Sequence, residues 1–168
     1  MKNKTIGSFD LMGTTLVIGD PCYSLDDEGA GLEILHNCAP GKWSSSIEED
    51  KQGNPIKLTV THVDFLNKDI DIDYSETMCL PVDSGQLGIF DKLKYGKKIA
   101  DESSDTIDFY DMCCKHSLSP QGYGLIPSGI VSMTLYGDGW YDIDYAYNTK
   151  DKTILEISID LSGSNIDD

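Results

Sequence analysis

Apolar and polar residues alternate at every second position over much of this chain, the pattern of strands that bury one face. It is plainest in the C-terminal third. Val131, Met133 and Leu135 alternate with Ser132, Thr134 and Tyr136, and Gly137-Asp138-Gly139 then suits a turn. Tyr141, Ile143, Tyr145 and Tyr147 share a face opposite Trp140, Asp142 and Asp144. After Asn148-Thr149-Lys150-Asp151, the run Leu155, Ile157, Ile159, Leu161 alternates with Glu156, Ser158 and Asp160. The pattern predicts a three-stranded antiparallel meander. Earlier strands are expected at residues 5–11, 13–19, 42–49, 55–63, 78–83 and 86–91, punctuated by Asp20-Pro21, Pro40-Gly41 and Gly53-Asn54-Pro55. One helix is expected near 105–117. Ser104 or Asp105 can cap it, Asp108 falls in its first turn, and Ile107, Tyr110 and Cys114 recur at i, i+3 and i+7. The expected class is mainly β (α+β): a twisted antiparallel sheet or sandwich with a C-terminal meander and one packed helix.

A length of 168 residues suits a single domain over 1–168, large enough to bury about 70% of its unfolded surface. No stretch approaches the roughly 18 apolar residues of a membrane span. The segment Met1-Lys2-Asn3-Lys4-Thr5 leads into a polar, strand-like stretch and not into the apolar core of a signal peptide, which points to a cytoplasmic protein. Five cysteines (Cys22, Cys38, Cys79, Cys113, Cys114) are an odd number for such a chain, so free thiols or metal ligands are expected in place of disulfides.

Charge changes the picture most. There are 29 acidic residues, 22 of them Asp, against 13 basic ones, for a net charge of −16. Every basic residue is Lys. Without Arg, the planar fork that grips phosphates and carboxylates bidentately is absent from the chain. A basic stripe for nucleic acid is also missing, since the cluster Lys92, Lys94, Lys97, Lys98 is flanked by acids on both sides. Such acidity serves solubility. It also attracts a basic surface, including one that ordinarily holds nucleic acid.

Several local patterns are candidate chemistry, each with a plainer structural reading beside it. Asp20-Pro21-Cys22-Tyr23 at the end of a strand reads as a turn, or as a site lined by Asp20 and Cys22. His62 falls in register with Ile56, Leu58 and Val60, as a core histidine does. Val82-Asp83-Ser84-Gly85-Gln86 reads as a bend between two strands. Asp20, His62 and Asp83 together outline an alternative small-molecule or hydrolase site, although no nucleophile elbow accompanies them. His36-x-Cys38 and Cys113-Cys114-x-His116 supply soft ligands, so a structural zinc held by His36, Cys38, His116 and Cys113 or Cys114 is a candidate, without the Cys-x-x-Cys knuckle. Asp69-Ile70-Asp71-Ile72-Asp73 opens like a calcium loop, but Tyr74 and Leu80 stand where Gly and Glu are needed. On an extended edge those carboxylates would be spaced by roughly 6.6 Å, similar to successive phosphates of one strand. With Glu76, and with Glu48-Glu49-Asp50, they form the expected partner-binding surface. Asp26-Asp27-Glu28 is an ordinary solvated turn. No phosphate-cradling glycine loop or dinucleotide fingerprint appears, and binding is expected over catalysis.

Taken together, Asp20-Pro21-Cys22-Tyr23, Gly41-Lys42-Trp43, the strand ending at His62, Val82-Asp83-Ser84-Gly85-Gln86 with Gly88 and Phe90-Asp91, Phe109-Tyr110 with Cys113-Cys114, and Tyr136-Gly137-Asp138-Gly139-Trp140-Tyr141 carry a resemblance. In this order, along nearly the whole chain, they resemble a family of small β-rich proteins of Firmicutes bacteria and their phages and prophages, a family with no established activity to carry over. The resemblance implies a mobile-element context, in which small acidic accessory proteins block host defence. The expectation is an acidic inhibitor of a host nucleic-acid-acting defence enzyme, in concrete form an anti-CRISPR protein that covers the basic surface of a CRISPR effector nuclease. The acidic stretch 64–77 and His36-x-Cys38 depart from the family pattern.

Overall fold

The computed structural model describes residues 2–27, 31–100 and 105–163. In chain order the first strands are β1 (Lys2–Leu11), β2 (Leu16–Gly19), β3 (Leu32–Leu35), β4 (Gly41–Glu49) and β5 (Pro55–His62). The short helix α1 (Val63–Asn67) follows, then β6 (Ile72–Tyr74), β7 (Met78–Val82) and β8 (Gln86–Asp91). A two-residue ladder, β9 (Ile99–Ala100) with β10 (Thr106–Ile107), precedes helix α2 (Phe109–Ser117). Strands β11 (Tyr123–Ile126), β12 (Gly129–Met133), β13 (Gly139–Asn148) and β14 (Ile154–Asp160) complete the order. Neither helix is long and apolar enough to cross a membrane.

The strands form two antiparallel sheets packed face to face, a mainly β architecture with α2 laid outside. The seven-stranded sheet runs β1-β4-β5-β14-β13, and the long β13 then pairs with β7 along one half and β6 along the other. The five-stranded sheet runs β11-β12-β8-β2-β3. Trp43, Ile47, Leu58, Val60, Ile143, Ile157 and Ile159 of the first meet Leu16, Ile18, Leu87, Ile89 and Ile130 of the second in one core. Each such side chain, fully buried, stabilises the fold by about 1.5–3 kcal/mol. A second core lies on the far side of the five-stranded sheet. There Val17, Phe90 and Val131 meet Tyr95 and, from α2, Phe109 and Cys113. The Phe109 ring packs edge-on to Phe90 at 5.1 Å and tilted to Tyr95 at 4.7 Å.

This layering shows in the local patterns. In β4, Trp43, Ser45, Ile47 and Glu49 are buried while Ser44, Ser46 and Glu48 are half-buried, as one covered face requires. In β2 and β8 every residue is buried, because the core lies on one side and α2 with its neighbours on the other. Gly88 makes that packing possible: a Cβ there would stand 2.2 Å from the Phe90 ring and 2.6 Å from the Ile130 carbonyl.

Two expectations are corrected. The C-terminal meander holds only for β13 and β14, which pair through Ile143–Ile159 to Tyr147–Ile154. Strand β12 belongs to the other sheet, between β8 and β11, so residues 134–138 cross from one layer to the other. The helix begins at Phe109 and not near 105, because Thr106 and Ile107 pair with Ala100 and Ile99. Asp108 takes the N-cap backbone position without a side-chain bond, and Ser104 lies outside the described residues. Strands β3, β6 and β11 and helix α1 are additions to the expected elements.

Candidate functional site

The sequence motifs at 20–23 and 82–86 meet. Asp20, fully buried at the end of β2, accepts hydrogen bonds from the Cys22 amide at 2.9 Å, the Asp83 amide at 2.8 Å, the Ser84 amide at 2.7 Å and the Ser84 hydroxyl at 2.5 Å. Those four donors fill the lone-pair positions of a carboxylate. The Tyr23 hydroxyl donates to Asp83, and the Tyr95 hydroxyl donates to the Tyr23 carbonyl at 2.7 Å. The result is a polar knot that pins the 82–85 bend to the end of β2. Beside it opens a cleft of about 430 Å³ lined by Cys22, Tyr23, Asp26, Tyr95, Asp108 and Tyr110 among others.

The knot is built for holding, not for nucleophilic attack. Ser84 directs its proton to Asp20, a carboxylate already held by three backbone amides. The Cys22 thiol is pushed up to about 12, first by burial of the sulfur and then by its hydrogen bond to Asp20, so it stays protonated at neutral pH. His62 stands apart from the knot. Its Nε2 lies 2.7 Å from the Pro40 carbonyl, its Nδ1 accepts from the Asp64 amide at 3.1 Å as the N-cap of α1, and its ring packs edge-on to Trp43. A site built jointly on Asp20, His62 and Asp83 is therefore not assembled: Asp20 and Asp83 share the bend, and His62 caps a helix.

The zinc set is not assembled either. Cys38 lies in the core between the sheets, with Sγ 3.3 Å from the Leu35 carbonyl, whereas Cys113 lies beyond the five-stranded sheet. Burial pushes both thiols up to about 12. Cys114 contacts Gln86 Nε2 at 3.5 Å, His36 is exposed beside the Thr15 hydroxyl at 3.4 Å, and the His116 ring packs against Gly124. Burial lowers the pKa of His116, with Lys115 adding to the effect. Among the described residues no group of three or more His, Cys, Asp or Glu stands where it could hold a metal ion.

The acidic residues fall into two classes. Glu49 is buried and internally engaged: Lys4 Nζ lies 2.8 Å from it and the Tyr123 hydroxyl donates to it at 2.8 Å, tying β1 and β4 to β11. Asp50 organises the β4–β5 turn, accepting from the amides of Gln52 and Asn54, both at 2.9 Å, and from Asn54 Nδ2 at 3.1 Å. Glu49 is corrected from a partner-binding to a structural role, while Asp50 holds the turn and stays half-buried. Asp69, Asp71, Asp73 and Glu76 are exposed as expected; Asp73 lies in β6 at the sheet edge, and the Asp71 carbonyl beside it accepts from the Thr149 amide at 3.1 Å.

A more extensive acidic surface lies on the seven-stranded sheet. The outward face of the seven-stranded sheet is a Ser/Thr floor, Ser44, Ser46, Thr59, Thr61 and Ser158, carrying Asp10, Glu48, Asp142, Asp144, Glu156 and Asp160. Register places Glu48 beside Lys57 and Lys57 beside Asp160, and sets Ser46, Thr59, Ser158 and Asp144 in one row. Lys42 and Lys57 are the outward cations of the same strands. Trp140, 53% exposed, stands at one end of this face opposite Pro81. The alternation of strands β4, β13 and β14 foretold a polar face; its assembly into one field required the strand order β4-β5-β14-β13. Comparison with protein-family models, curated proteins and solved structures found no match to this chain.

Proposed function

We propose that this protein is an acidic binding module. In this reading the outward face of its seven-stranded sheet, with the neighbouring 69–76 segment, covers the basic surface of a host nucleic-acid-acting defence enzyme. Nucleic acid is thereby denied its binding channel, and in concrete form the partner is a CRISPR effector nuclease. The observation that carries the reading is the uncovered face itself: six carboxylates against two lysines on a solvated sheet, in a chain of net charge −16. Asp142 and Asp144, successive outward residues of β13, stand roughly 6.6 Å apart, similar to successive phosphates of one strand. An acidic field speeds docking on a basic partner and discriminates against acidic ones, while Trp140 offers the kind of aromatic anchor that interfaces use.

The test is retention of the host partner by the immobilised protein at low and high salt, with and without the face. Binding is expected to fall steeply as salt rises, and Asp142→Asn, Asp144→Asn and Asp160→Asn combined are expected to weaken it more than Asp69→Asn, Asp71→Asn and Asp73→Asn combined. A complex indifferent to salt and to both triple variants would sink the proposal.

A further inference from the structure

A second cleft lies on the other side of β13. It encloses about 660 Å³ at the edge of the sandwich and is lined by Tyr74, Glu76, Tyr145, Tyr147 and Lys152 together with Met78 and others. Tyr145 and Tyr147, two apart on one strand, hold their rings 6.1 Å apart at 53°. Lys152 places its ammonium 5.4 Å from the centre of the Tyr147 ring. That lysine also adopts a left-handed backbone, φ 65°, a conformation costing a non-glycine residue roughly 1 kcal/mol. A position shaped for glycine or asparagine thus carries a long cation that reaches an aromatic face. Glu76, exposed, lines the same cleft and adds a negative charge to it.

Aromatic faces attract cations through the ring quadrupole, most strongly where water is partly excluded. The half-buried rings of Tyr145 and Tyr147 meet that condition, and the chain itself has already seated an ammonium on one of them. We propose that this cleft binds the charged head of an organic cation, an alkylammonium or quaternary ammonium group, against Tyr145 and Tyr147 with Glu76 as counter-ion, and that Lys152 is its internal competitor. The site goes beyond the sheet-face reading and does not require it, since Tyr145 lies on the face of β13 opposite Asp144. Two sources carry this chemistry, a free quaternary ammonium compound and a lysine side chain of a polypeptide.

The probe is tetramethylammonium chloride, exchanged for sodium chloride at constant ionic strength and followed by the aromatic ring resonances of the full chain. Saturable shifts centred on Tyr145 and Tyr147 are expected, with the neutral isostere tert-butanol at least about tenfold weaker. Lys152→Met, at an exposed position that leaves the core untouched, is expected to tighten tetramethylammonium binding severalfold. Tyr147→Leu is expected to abolish it in a protein that still unfolds cooperatively. A blocked lysine peptide that outcompetes tetramethylammonium identifies the side chain as the natural source, and the reverse order identifies a free quaternary ammonium. Equal binding of tert-butanol, or a Lys152→Met variant that binds no more tightly than the parent, overturns the proposal.

Discussion

Strands β8 and β14 both lie inside a sheet, yet their surroundings differ. Every residue of β8, from Gln86 to Asp91, is buried, because one face meets the inter-sheet core and the other meets Phe109, Tyr95 and their neighbours. Strand β14 buries Leu155, Ile157 and Ile159 and leaves Glu156 and Ser158 half-buried and Asp160 exposed. The five-stranded sheet is thus a middle layer, held by aromatic packing on one side and the polar knot at its end. The seven-stranded sheet is an outer layer with one face free. The first is covered on both faces, and the second displays half-buried and exposed carboxylates on its outward face.

That contrast can be broken by four substitutions of decreasing effect. Asp20→Ala removes the acceptor of three backbone amides and one hydroxyl at the end of β2. An orphaned donor costs up to roughly 1–3 kcal/mol and these four are part-buried, so urea denaturation should show a loss of about 3 kcal/mol. Phe109→Ala strips the cover from the middle layer. A loss of about 3 kcal/mol is expected, with binding of an apolar dye to the newly exposed face of β8. Glu49→Gln acts through pH. Hydrogen bonds from Lys4 and then from Tyr123 hold the Glu49 carboxyl below the usual carboxylate range. A carboxyl acidified by folding adds stability that is present at neutral pH and lost as pH falls through its folded value. The variant should therefore be less stable than the parent at neutral pH, and the difference should shrink on acidification, as followed by thermal unfolding across pH. Asp144→Asn, on the open face, should change stability by no more than about 0.5 kcal/mol. A cost for Asp144→Asn comparable to that of Asp20→Ala would mean that the open face is not open.

The outer layer was legible in the sequence because it obeys a period of two. Strands β4, β13 and β14 announce themselves by alternation, and the polar half of that alternation is the acidic face. The middle layer was harder to read. In β12, Ile130 and Val131 are adjacent and both buried, the mark of a strand covered on two faces. Its flanking alternation mimics a meander with β13, whereas the Gly137-Asp138-Gly139 turn lies at a crossover between the two sheets. Local pattern cannot report which sheet a strand joins. Nor can it report contacts across long sequence separation: the amides of Asp83 and Ser84 reach Asp20 over more than sixty positions. The exposed aspartates at 69–73 were visible as composition, but the duties of Glu49 and Asp50 depend on Lys4, Tyr123 and Asn54, which only the folded chain brings to them.

The placement of β14 has a consequence for how the protein is made. It follows every other strand among the described residues, yet it sits between β5 and β13, near the centre of its sheet. A growing polypeptide that has not yet released residues 154–160 holds β1, β4 and β5 as one fragment and β13 with β6 and β7 as another. Two open edges then face each other across a missing strand. Those edges, Pro55–His62 and Gly139–Asn148, carry Leu58, Val60, Tyr141 and Ile143 on their inward side. Such edges are templates for pairing with other chains. The interval before β14 inserts is therefore when a nascent chain is most exposed to aggregation, and stalling synthesis just short of Ile154 should produce the species that most engages cellular chaperones.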